Sequence, residues 1–186
     1  MSTRTQDGKP PASSISFRHP RIGDGAPMLE LVKASPPLEP NTCYAYLLLC
    51  HHFGDTCIVA EHEGDLWGFV VGYRPPKEPD TLFVWQIAVS SKARGQGLGS
   101  RLLRQLLESQ PAGSVRYLTS TVTPGNEPSL RLFHSFAEKL GVPCEQSVLF
   151  EKTAFGQGEH EEEHLLRIGP INSEARTTDQ SKTGSA

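Results

Sequence analysis

Hydrophobic and polar residues follow one another along the chain with periods that change repeatedly, and these changes predict a mixture of strands and helices. The strand-like runs are short, rich in apolar and β-branched residues, and bounded by turn residues. We predict strands at Ile15 to Arg18, Thr56 to His62, Leu66 to Tyr73, Thr81 to Val89, Val115 to Thr123, Ser147 to Phe150 and Leu165 to Ile168. The run Thr81 to Val89 is apolar at almost every position, which predicts a central strand covered on both faces.

Four other segments carry apolar residues at helical spacing. We predict helices at Gly25 to Ala34, from an Asn41 or Thr42 cap to about Cys50, from Gly97 to Gln110 and at Glu127 to Leu140. The resulting order is strand, two helices, three strands, helix, strand, helix, two strands. This order predicts an α+β domain with a three-layer α/β/α architecture.

The two ends of the chain lack core-forming residues. Residues 1–14 and 173–186 are dominated by small and polar side chains, whose burial could not offset the entropy of ordering. We therefore expect two flexible tails around one domain over residues 15–172. A length of 186 residues agrees with a single domain, since domains commonly have about 100 to 200 residues.

Composition excludes several classes of function. The formal charge of -3 gives no reason to expect a nucleic-acid partner. The longest apolar run, Tyr44 to Cys50, is far shorter than the ~20 residues of a membrane span. No apolar segment follows the first basic residues as it would in a secretory signal, and the four cysteines form no C-x-x-C pair. We expect a soluble, cytoplasmic protein that binds neither membrane nor nucleic acid.

The stretch Gln86 to Ser100, QIAVSSKARGQGLGS, is the richest in chemistry, because a buried strand runs through a glycine-rich turn directly into a helix. Gly95, Gly97 and Gly99 can adopt positive φ and leave room for a ligand against the backbone. Backbone N–H groups of such a turn, together with a helix N-terminus, bind anions, and Arg94 adds a full positive charge. The pattern favours a pyrophosphate site over a turn that merely ends the strand.

The spacing of the glycines excludes two common nucleotide sites. A P-loop requires G-x-x-x-x-G-K-[ST], and no Lys follows a glycine at that spacing. A dinucleotide fingerprint that began at Gly95-Gln96-Gly97 would require a glycine at position 100, which is Ser100. Kinase, GTPase and NAD-binding functions are therefore disfavoured.

The segment Arg94-Gly95-Gln96-Gly97-Leu98-Gly99 resembles the R/Q-x-x-G-x-G/A motif with which GNAT-type N-acetyltransferases grip the pyrophosphate of acetyl-CoA. The resemblance implies a mixed, mostly antiparallel sheet flanked by helices, with splayed central strands. It also implies acetyl-CoA as cosubstrate, no metal, and a homodimer. The cofactor-binding residues that it implies are Ile87, Ala88, Val89, Arg94, Gly95, Gln96, Gly97, Leu98, Gly99, Ser100, Asn126 and Ser129.

Further segments are similar to the diaminobutyrate acetyltransferases of ectoine biosynthesis. They are PLEPN at Pro37 to Asn41, YAYLLLC at Tyr44 to Cys50, His52-Phe53, and GEHEE at Gly158 to Glu162. Members of that family usually have Asp where this chain has Glu39, which keeps the carboxylate but shifts its reach. The resemblance implies transfer of acetyl from acetyl-CoA to the 4-amino group of L-2,4-diaminobutyrate.

This reaction needs an acceptor for the proton of the amine, which at a pKa near 10 is mostly charged at pH 7. A carboxylate, a histidine or an ordered water can accept that proton. The resemblance implies direct attack on the thioester, with a backbone N–H of Val89 or its neighbour Ala88 at the developing oxyanion. Many relatives place a tyrosine acid where this chain has Phe133, which cannot donate a proton. Candidate catalytic residues are Val89, Tyr44, Glu159 and His160, and candidate substrate-binding residues are Glu39, Tyr44, Trp85, Glu159 and His160.

Three alternatives compete with this interpretation. His160 to His164 matches the zinc motif H-E-x-x-H, but glycines before it and a predicted strand after it argue against the helix that the motif needs. The absence of a tyrosine at Phe133 is compatible with a non-catalytic acyl-CoA sensor. An acetyltransferase for another amine, such as a polyamine or a protein lysine, is the third.

Overall fold

Seven strands form one sheet in the computed structural model, which describes residues 15–156 and 160–172. The strands are β1 (Ser16–Arg18), β2 (Cys57–His62), β3 (Asp65–Tyr73), β4 (Thr81–Val89), β5 (Tyr117–Val122), β6 (Cys144–Phe150) and β7 (Glu163–Ile168). Their order across the sheet is β1-β2-β3-β4-β5-β7-β6. Of these neighbours, β4 and β5 are parallel and the other pairs are antiparallel. The sheet is thus mixed and mostly antiparallel, as the resemblance to GNAT-type N-acetyltransferases implies.

Helices cover both faces of the sheet. They are α1 (Gly25–Lys33), α2 (Cys43–His52), α3 (Leu98–Glu108) and α4 (Glu127–Leu140). Apolar residues of α1 and α2 pack with those of β2 and β3 in one core, and residues of α3 and α4 contribute to a second core. The three-layer α/β/α prediction is confirmed. Among the described residues, no helix is long and apolar enough to pass through a lipid bilayer.

Local sequence signals account for the ends of the helices. The Thr42 side chain accepts the N–H of Ala45 and begins α2, and Asn126 accepts the N–H of Ser129 and begins α4. Gly141 ends α4 in the left-handed conformation at φ 67°. These caps agree with the boundaries that the sequence predicts.

The two central strands, β4 and β5, pair along only part of their length. Thr81 to Val84 stand opposite Tyr117 to Ser120 in parallel register, and the pairing stops there. Beyond this point β4 continues to Val89 on β3, while β5 continues to Val122 on β7. The strands therefore diverge, and a cleft opens between their carboxyl ends.

A β-bulge lies at the start of the cleft. Val71 pairs with Gln86 and Gly72 pairs with Val84, so Trp85 is an extra residue in β4. A bulge bends its strand and re-aims the adjacent side chain. For this reason Trp85 is 37% exposed in a strand that the sequence predicts to be covered on both faces.

Arg18 ties β1 to the turn before α1. Its guanidinium donates to both carboxylate oxygens of Asp24, at 2.7 and 2.9 Å, and to Glu61 on β2 at 2.8 Å. Burial raises the pKa of Asp24, but its hydrogen bonds with Arg18 and with the backbone N–H of Arg21, together with the charges of both arginines, outweigh that effect, and the pKa lies below its ordinary value. Asp24 thus contributes stability above its unfolded pKa near 4, and the contribution is lost as the pH falls.

We expect Arg18→Met to lower the free energy of unfolding by about 2 kcal/mol at pH 7, because Asp24 is left buried without its partner. Urea unfolding of the variant and the wild type measures the loss, which should shrink below pH 4. Lys33→Met is the control, since its ion pair with Glu30 is exposed and worth at most about 0.5 kcal/mol. Equal effects of the two substitutions would contradict the prediction.

Candidate active site

Three adjoining cavities follow the cleft between β4 and β5. The polar cavity, about 270 Å³, is lined by Glu39, Trp85, His160 and Glu163 among others. The bridging cavity shares Asn126 and Ser129 with it and also measures about 270 Å³. The glycine-loop cavity, about 410 Å³, is lined by Gly95, Gly97 and Gly99 and by residues of α4. Val89 and Arg94 line both the bridging and the glycine-loop cavities, so one channel runs from the glycine turn to the carboxylates.

The glycine turn has the backbone conformation expected of an anion site. Gly95 and Gly97 have φ of 74° and 71°, and a Cβ on either would meet no protein atom within 4 Å. The open space beside them is available to a ligand. Gly99 differs, because a Cβ there would lie 3.2 Å from Leu132 on α4. That glycine permits the close approach of α3 and α4.

Other residues of the motif have distinct places. Leu98 and Ser100 line the glycine-loop cavity, whereas the Gln96 side chain turns back to donate to the carbonyl of Lys92 over 3.2 Å. Arg94 donates to the Ser35 hydroxyl at 3.3 Å and to the carbonyl of Val89 at 3.4 Å. The arginine therefore connects the glycine turn to the loop after α1 and to the end of β4.

Two cationic residues of α4 also reach the glycine-loop cavity. Arg131 and Lys139 line it, and Lys139 donates to the Ser100 hydroxyl at 3.3 Å. Neither residue could be predicted from the glycine motif, because both lie more than thirty positions beyond it. Together with Arg94 they give the cavity a positive lining that suits phosphate groups.

The backbone amides at the end of β4 alternate in direction. The N–H of Ser90 donates to the carbonyl of Trp67 on the β3 side over 2.8 Å, and Val89 stands opposite Gly68. Successive amides of an antiparallel pair point alternately toward and away from the partner strand. The N–H of Val89 therefore points away from β3 and into the cleft, whereas that of Ala88 points toward β3. Of the two expected oxyanion donors, Val89 has the suitable direction.

The structure brings Glu39, Trp85 and His160 together from three separate segments, as expected of a substrate pocket. Glu39 belongs to the loop between α1 and α2, Trp85 is the bulged residue of β4, and His160 precedes β7. Ile87 also lines this cavity and the next one. Tyr44 is not brought to the cavity: it lies on the first turn of α2 and is 67% exposed. Glu159 lies outside the described residues.

Glu163, which was not among the predicted site residues, has an unusual environment in the polar cavity. Its Oε2 is buried without a hydrogen-bond partner among the described residues. Its Oε1 lies 3.8 Å from Nε2 of His160. Burial raises the pKa of Glu163, the positive charge of His160 opposes that rise, and the negative charge of Glu39 adds to it. A carboxylate with a raised pKa beside a cavity is a suitable general base.

Two contacts hold the His160 ring where it lines this cavity. Its ring stacks on Phe155 with centroids 3.9 Å apart and an angle of 15° between the planes. Its Nδ1 lies 2.6 Å from the carbonyl oxygen of Glu161. The carboxylate of Glu161 in turn accepts the N–H of Gly125 at 3.1 Å, which links this segment to the loop before α4.

The apparent zinc motif does not have the geometry of a metalloprotease site. His164 lies in β7 and His160 precedes the strand, so the two histidines do not share a helix face. His164 instead pairs with Glu162, with Nε2 and Oε1 2.6 Å apart. In the described part of the chain, no group of three or more His, Cys, Asp or Glu residues is arranged to hold a metal ion.

Phe133 lines the polar cavity but is 1% exposed and belongs to the core beneath it. Its ring has no group that could protonate a leaving thiolate.

Asn126 is the N-cap of α4, and its side-chain oxygen accepts the N–H of Ser129 at 3.2 Å. Asn126 and Ser129 therefore have two roles: they form the N-terminal cap of α4 and they line the cavity.

Proteins of known family that resemble this chain identify the fold to which the channel belongs. Residues 26–137 match the acetyltransferase (GNAT) family. The L-2,4-diaminobutyric acid acetyltransferase of Bordetella parapertussis is 47% identical, over 87% of this chain and 88% of the relative. That of Marinococcus halophilus is 44% identical, over 92% and 99%.

A solved structure agrees with these relatives. The diaminobutyrate acetyltransferase EctA from Paenibacillus lautus, in complex with its substrate L-2,4-diaminobutyric acid and coenzyme A, superposes with a TM-score of 0.80. It is 40% identical, and the match covers 84% of this chain and 95% of that chain. The splayed sheet, the glycine turn and the extent of these matches lead to one conclusion: the chain belongs to the GNAT acetyltransferase family and, within it, to the L-2,4-diaminobutyric acid acetyltransferases.

Proposed function

We propose that the protein transfers the acetyl group of acetyl-CoA to the 4-amino group of L-2,4-diaminobutyrate, giving N4-acetyl-L-2,4-diaminobutyrate for ectoine biosynthesis. The observation that carries the proposal is the pair of carboxylates, Glu39 and Glu163, in the cavity at the opposite end of the channel from the glycine turn. The 4-amino position follows from the family resemblance.

The charge of the polar cavity suits this substrate. At pH 7 diaminobutyrate carries two ammonium groups and one carboxylate. Glu39 and Glu163 can attract the ammonium groups, and His160 is a cationic or hydrogen-bonding partner for the carboxylate. Trp85 offers an aromatic wall to the short aliphatic chain or to an ammonium group.

The channel assigns a role to each end of the reaction. The Gly95 and Gly97 turn and the cations around it bind the pyrophosphate and direct the thioester into the cleft. Glu163 accepts a proton from the ammonium, and the free amine then attacks the thioester carbonyl. The N–H of Val89 stabilises the oxyanion. The C–S bond breaks, the amide nitrogen loses its second proton, and one proton ends on the CoA sulfur and one in solvent.

The departing thiolate needs little help from a protein acid. A thiol with a pKa of about 8.5 is a fair leaving group near neutral pH. Water in the open channel can protonate it, which accommodates the phenylalanine at position 133. Phe133 therefore does not argue for a non-catalytic sensor.

Release of free thiol from acetyl-CoA tests the proposal. The amines are L-2,4-diaminobutyrate, ornithine, lysine, spermidine and a lysine peptide. We expect a strong preference for diaminobutyrate and a product heavier by one acetyl group. Preference for spermidine or the peptide would establish a different acetyltransferase, and CoA binding without any thiol release would establish a sensor.

We expect Trp85→Ala to raise the KM for diaminobutyrate about tenfold, the loss of about 1.4 kcal/mol of contact with the amine. The KM for acetyl-CoA should stay within about twofold, because Trp85 lines the polar cavity and not the glycine-loop cavity. Phe53→Ala, which removes an exposed aromatic ring outside the three cavities, is the control. A change confined to the KM for acetyl-CoA would place Trp85 elsewhere.

We also infer from the family that the enzyme is a cytoplasmic homodimer with one domain over residues 15–172. Light scattering after size exclusion measures the oligomeric state directly. A monomeric mass at micromolar concentration would contradict this part of the proposal.

A further inference from the structure

The loop that carries Glu39 into the polar cavity is exposed. Residues 34–42 connect α1 to α2, and Glu39, Pro40 and Asn41 are exposed. A surface loop with few buried contacts samples several positions unless hydrogen bonds hold it. The position of the Glu39 carboxylate therefore depends on how the backbone of this loop is anchored.

Two hydrogen bonds anchor residues 39–41 of this loop to the rest of the fold. The Nε2 of Gln86 donates to the backbone carbonyl of Glu39 at 3.2 Å. The backbone N–H of Asn41 donates to the hydroxyl of Tyr46 at 3.4 Å. Among the described residues, these are the hydrogen bonds that residues 39–41 make with other segments.

The two anchors are joined into one chain. The hydroxyl of Tyr46 donates to Oε1 of Gln86 at 2.8 Å, which leaves the amide nitrogen of Gln86 to face Glu39. Tyr46 has no exposed surface, and its ring packs against Phe69 and Trp85. The core therefore fixes the position of Tyr46, from which this chain of hydrogen bonds starts. Gln86, the next residue in it, directly follows the bulged Trp85.

We propose that Tyr46 and Gln86 are positioning residues that hold Glu39 in the amine pocket through the Tyr46 hydroxyl, the Gln86 side chain and the Glu39 carbonyl. The inference rests on the proposed function, because it assigns Glu39 to the amine. Tyr46 does not line the polar cavity, so its hydroxyl acts on the substrate through Gln86, which does line the cavity, and through the loop that Gln86 holds. The phenol of Tyr46 and the amide of Gln86 thereby link the bulge of β4 to the loop that carries Glu39, and so to the selection of the amine substrate.

The test is Tyr46→Phe, which removes one hydroxyl and keeps the ring in the core. We expect the KM for diaminobutyrate to rise about tenfold, with the KM for acetyl-CoA within about twofold of the wild type. Gln86→Leu should shift the KM for diaminobutyrate in the same direction, and the double variant should add little to it, because both act in one chain. Tyr73→Phe is the matched control, since it removes a phenol hydroxyl outside the cavities and should leave both KM values unchanged.

A second background separates positioning from a general loss of structure. In the Glu39→Ala variant, the hydrogen bonds of Tyr46 and Gln86 have no carboxylate left to position. Adding Tyr46→Phe to this variant should therefore change the KM for diaminobutyrate less than about twofold. A persistent tenfold effect in that background overturns the inference, as does a single Tyr46→Phe variant with unchanged KM for the amine. An equal rise in both KM values would show a structural role only.

These outcomes are distinguishable from failure of the proposed function. Absence of turnover with diaminobutyrate in the wild type contradicts the function itself. A Glu39→Ala variant with normal KM for the amine removes Glu39 from the pocket and the positioning chain with it. Normal KM in Tyr46→Phe together with a raised KM in Glu39→Ala overturns the positioning chain alone.

Discussion

Replacing Glu163 by Gln is expected to lower kcat/KM for diaminobutyrate by about 100- to 1,000-fold at pH 7, the usual cost of losing a general base. The substitution keeps the size of the side chain and removes its ability to accept a proton. Glu163 is the cavity carboxylate whose Oε2 lacks a partner in the described part of the chain. Steady-state thiol release with saturating acetyl-CoA measures the loss.

The pH profile gives a second readout. Burial raises the pKa of Glu163, so the wild-type rate should rise as the pH passes upward through that raised pKa, and this limb should disappear in Glu163→Gln. Because the folded state favours the protonated carboxyl, the corresponding stability is present at low pH and lost as the pH rises. Glu163→Gln should therefore not lower the melting temperature at pH 8.

Glu162→Gln is the control for the base. Glu162 is the neighbouring carboxylate, pairs with His164 and does not line the polar cavity. It should retain activity within about threefold of the wild type. A Glu163→Gln variant that keeps a third of the wild-type rate, or that keeps the low-pH limb, would assign the base to another group.

Gly97→Val is expected to weaken acetyl-CoA binding at least about 30-fold, because the side chain would fill the space beside the backbone amides and strain a residue at φ 71°. No protein atom lies within 4 Å of the added Cβ, so the lost space is that of the ligand. Calorimetric titration with CoA measures the change in affinity.

Gly113→Val is the control that separates the loss of space for the ligand from the backbone strain that both substitutions cause. Gly113 has φ of 72°, and a Cβ there also meets no protein atom within 4 Å, but it lies in the loop before β5 and lines none of the three cavities. Its substitution should lower stability as much as Gly97→Val while leaving CoA affinity unchanged. Equal affinities of the two variants for CoA would remove the pyrophosphate assignment.

Much of the fold could be predicted because its signals are local. The leucine stripe that begins at Leu98 follows the 3.6-residue period, and Gly141 supplies the left-handed cap at the end of α4. The glycine turn is likewise one contiguous segment, so its backbone conformation is encoded in neighbouring residues. The segments around Glu39 and His160 indicated the pocket through resemblance to a family.

Other features depend on register and strand pairing. From its sequence context, Trp85 is predicted to be a residue of a buried strand. Only the pairing of β3 with β4, in which Val71 stands opposite Gln86 and Gly72 opposite Val84, makes it a bulge. Glu163 reads as one carboxylate in a solvated run of glutamates. Its strand pairing with Phe150 and its burial beside His160 separate it from Glu162.

The elements, the glycine turn and the acetyltransferase family could be inferred from the sequence because each is recorded in short contiguous patterns. Other features appear only in the folded molecule: β4 and β5 diverge after Val84, and Glu163 lines the same cavity as Glu39. Likewise, Tyr44 lies outside that cavity, whereas Tyr46 is hydrogen-bonded to Gln86 in its wall. The reason is physical: burial, pKa and the direction of an amide depend on residues far apart in the chain, and folding alone brings them together.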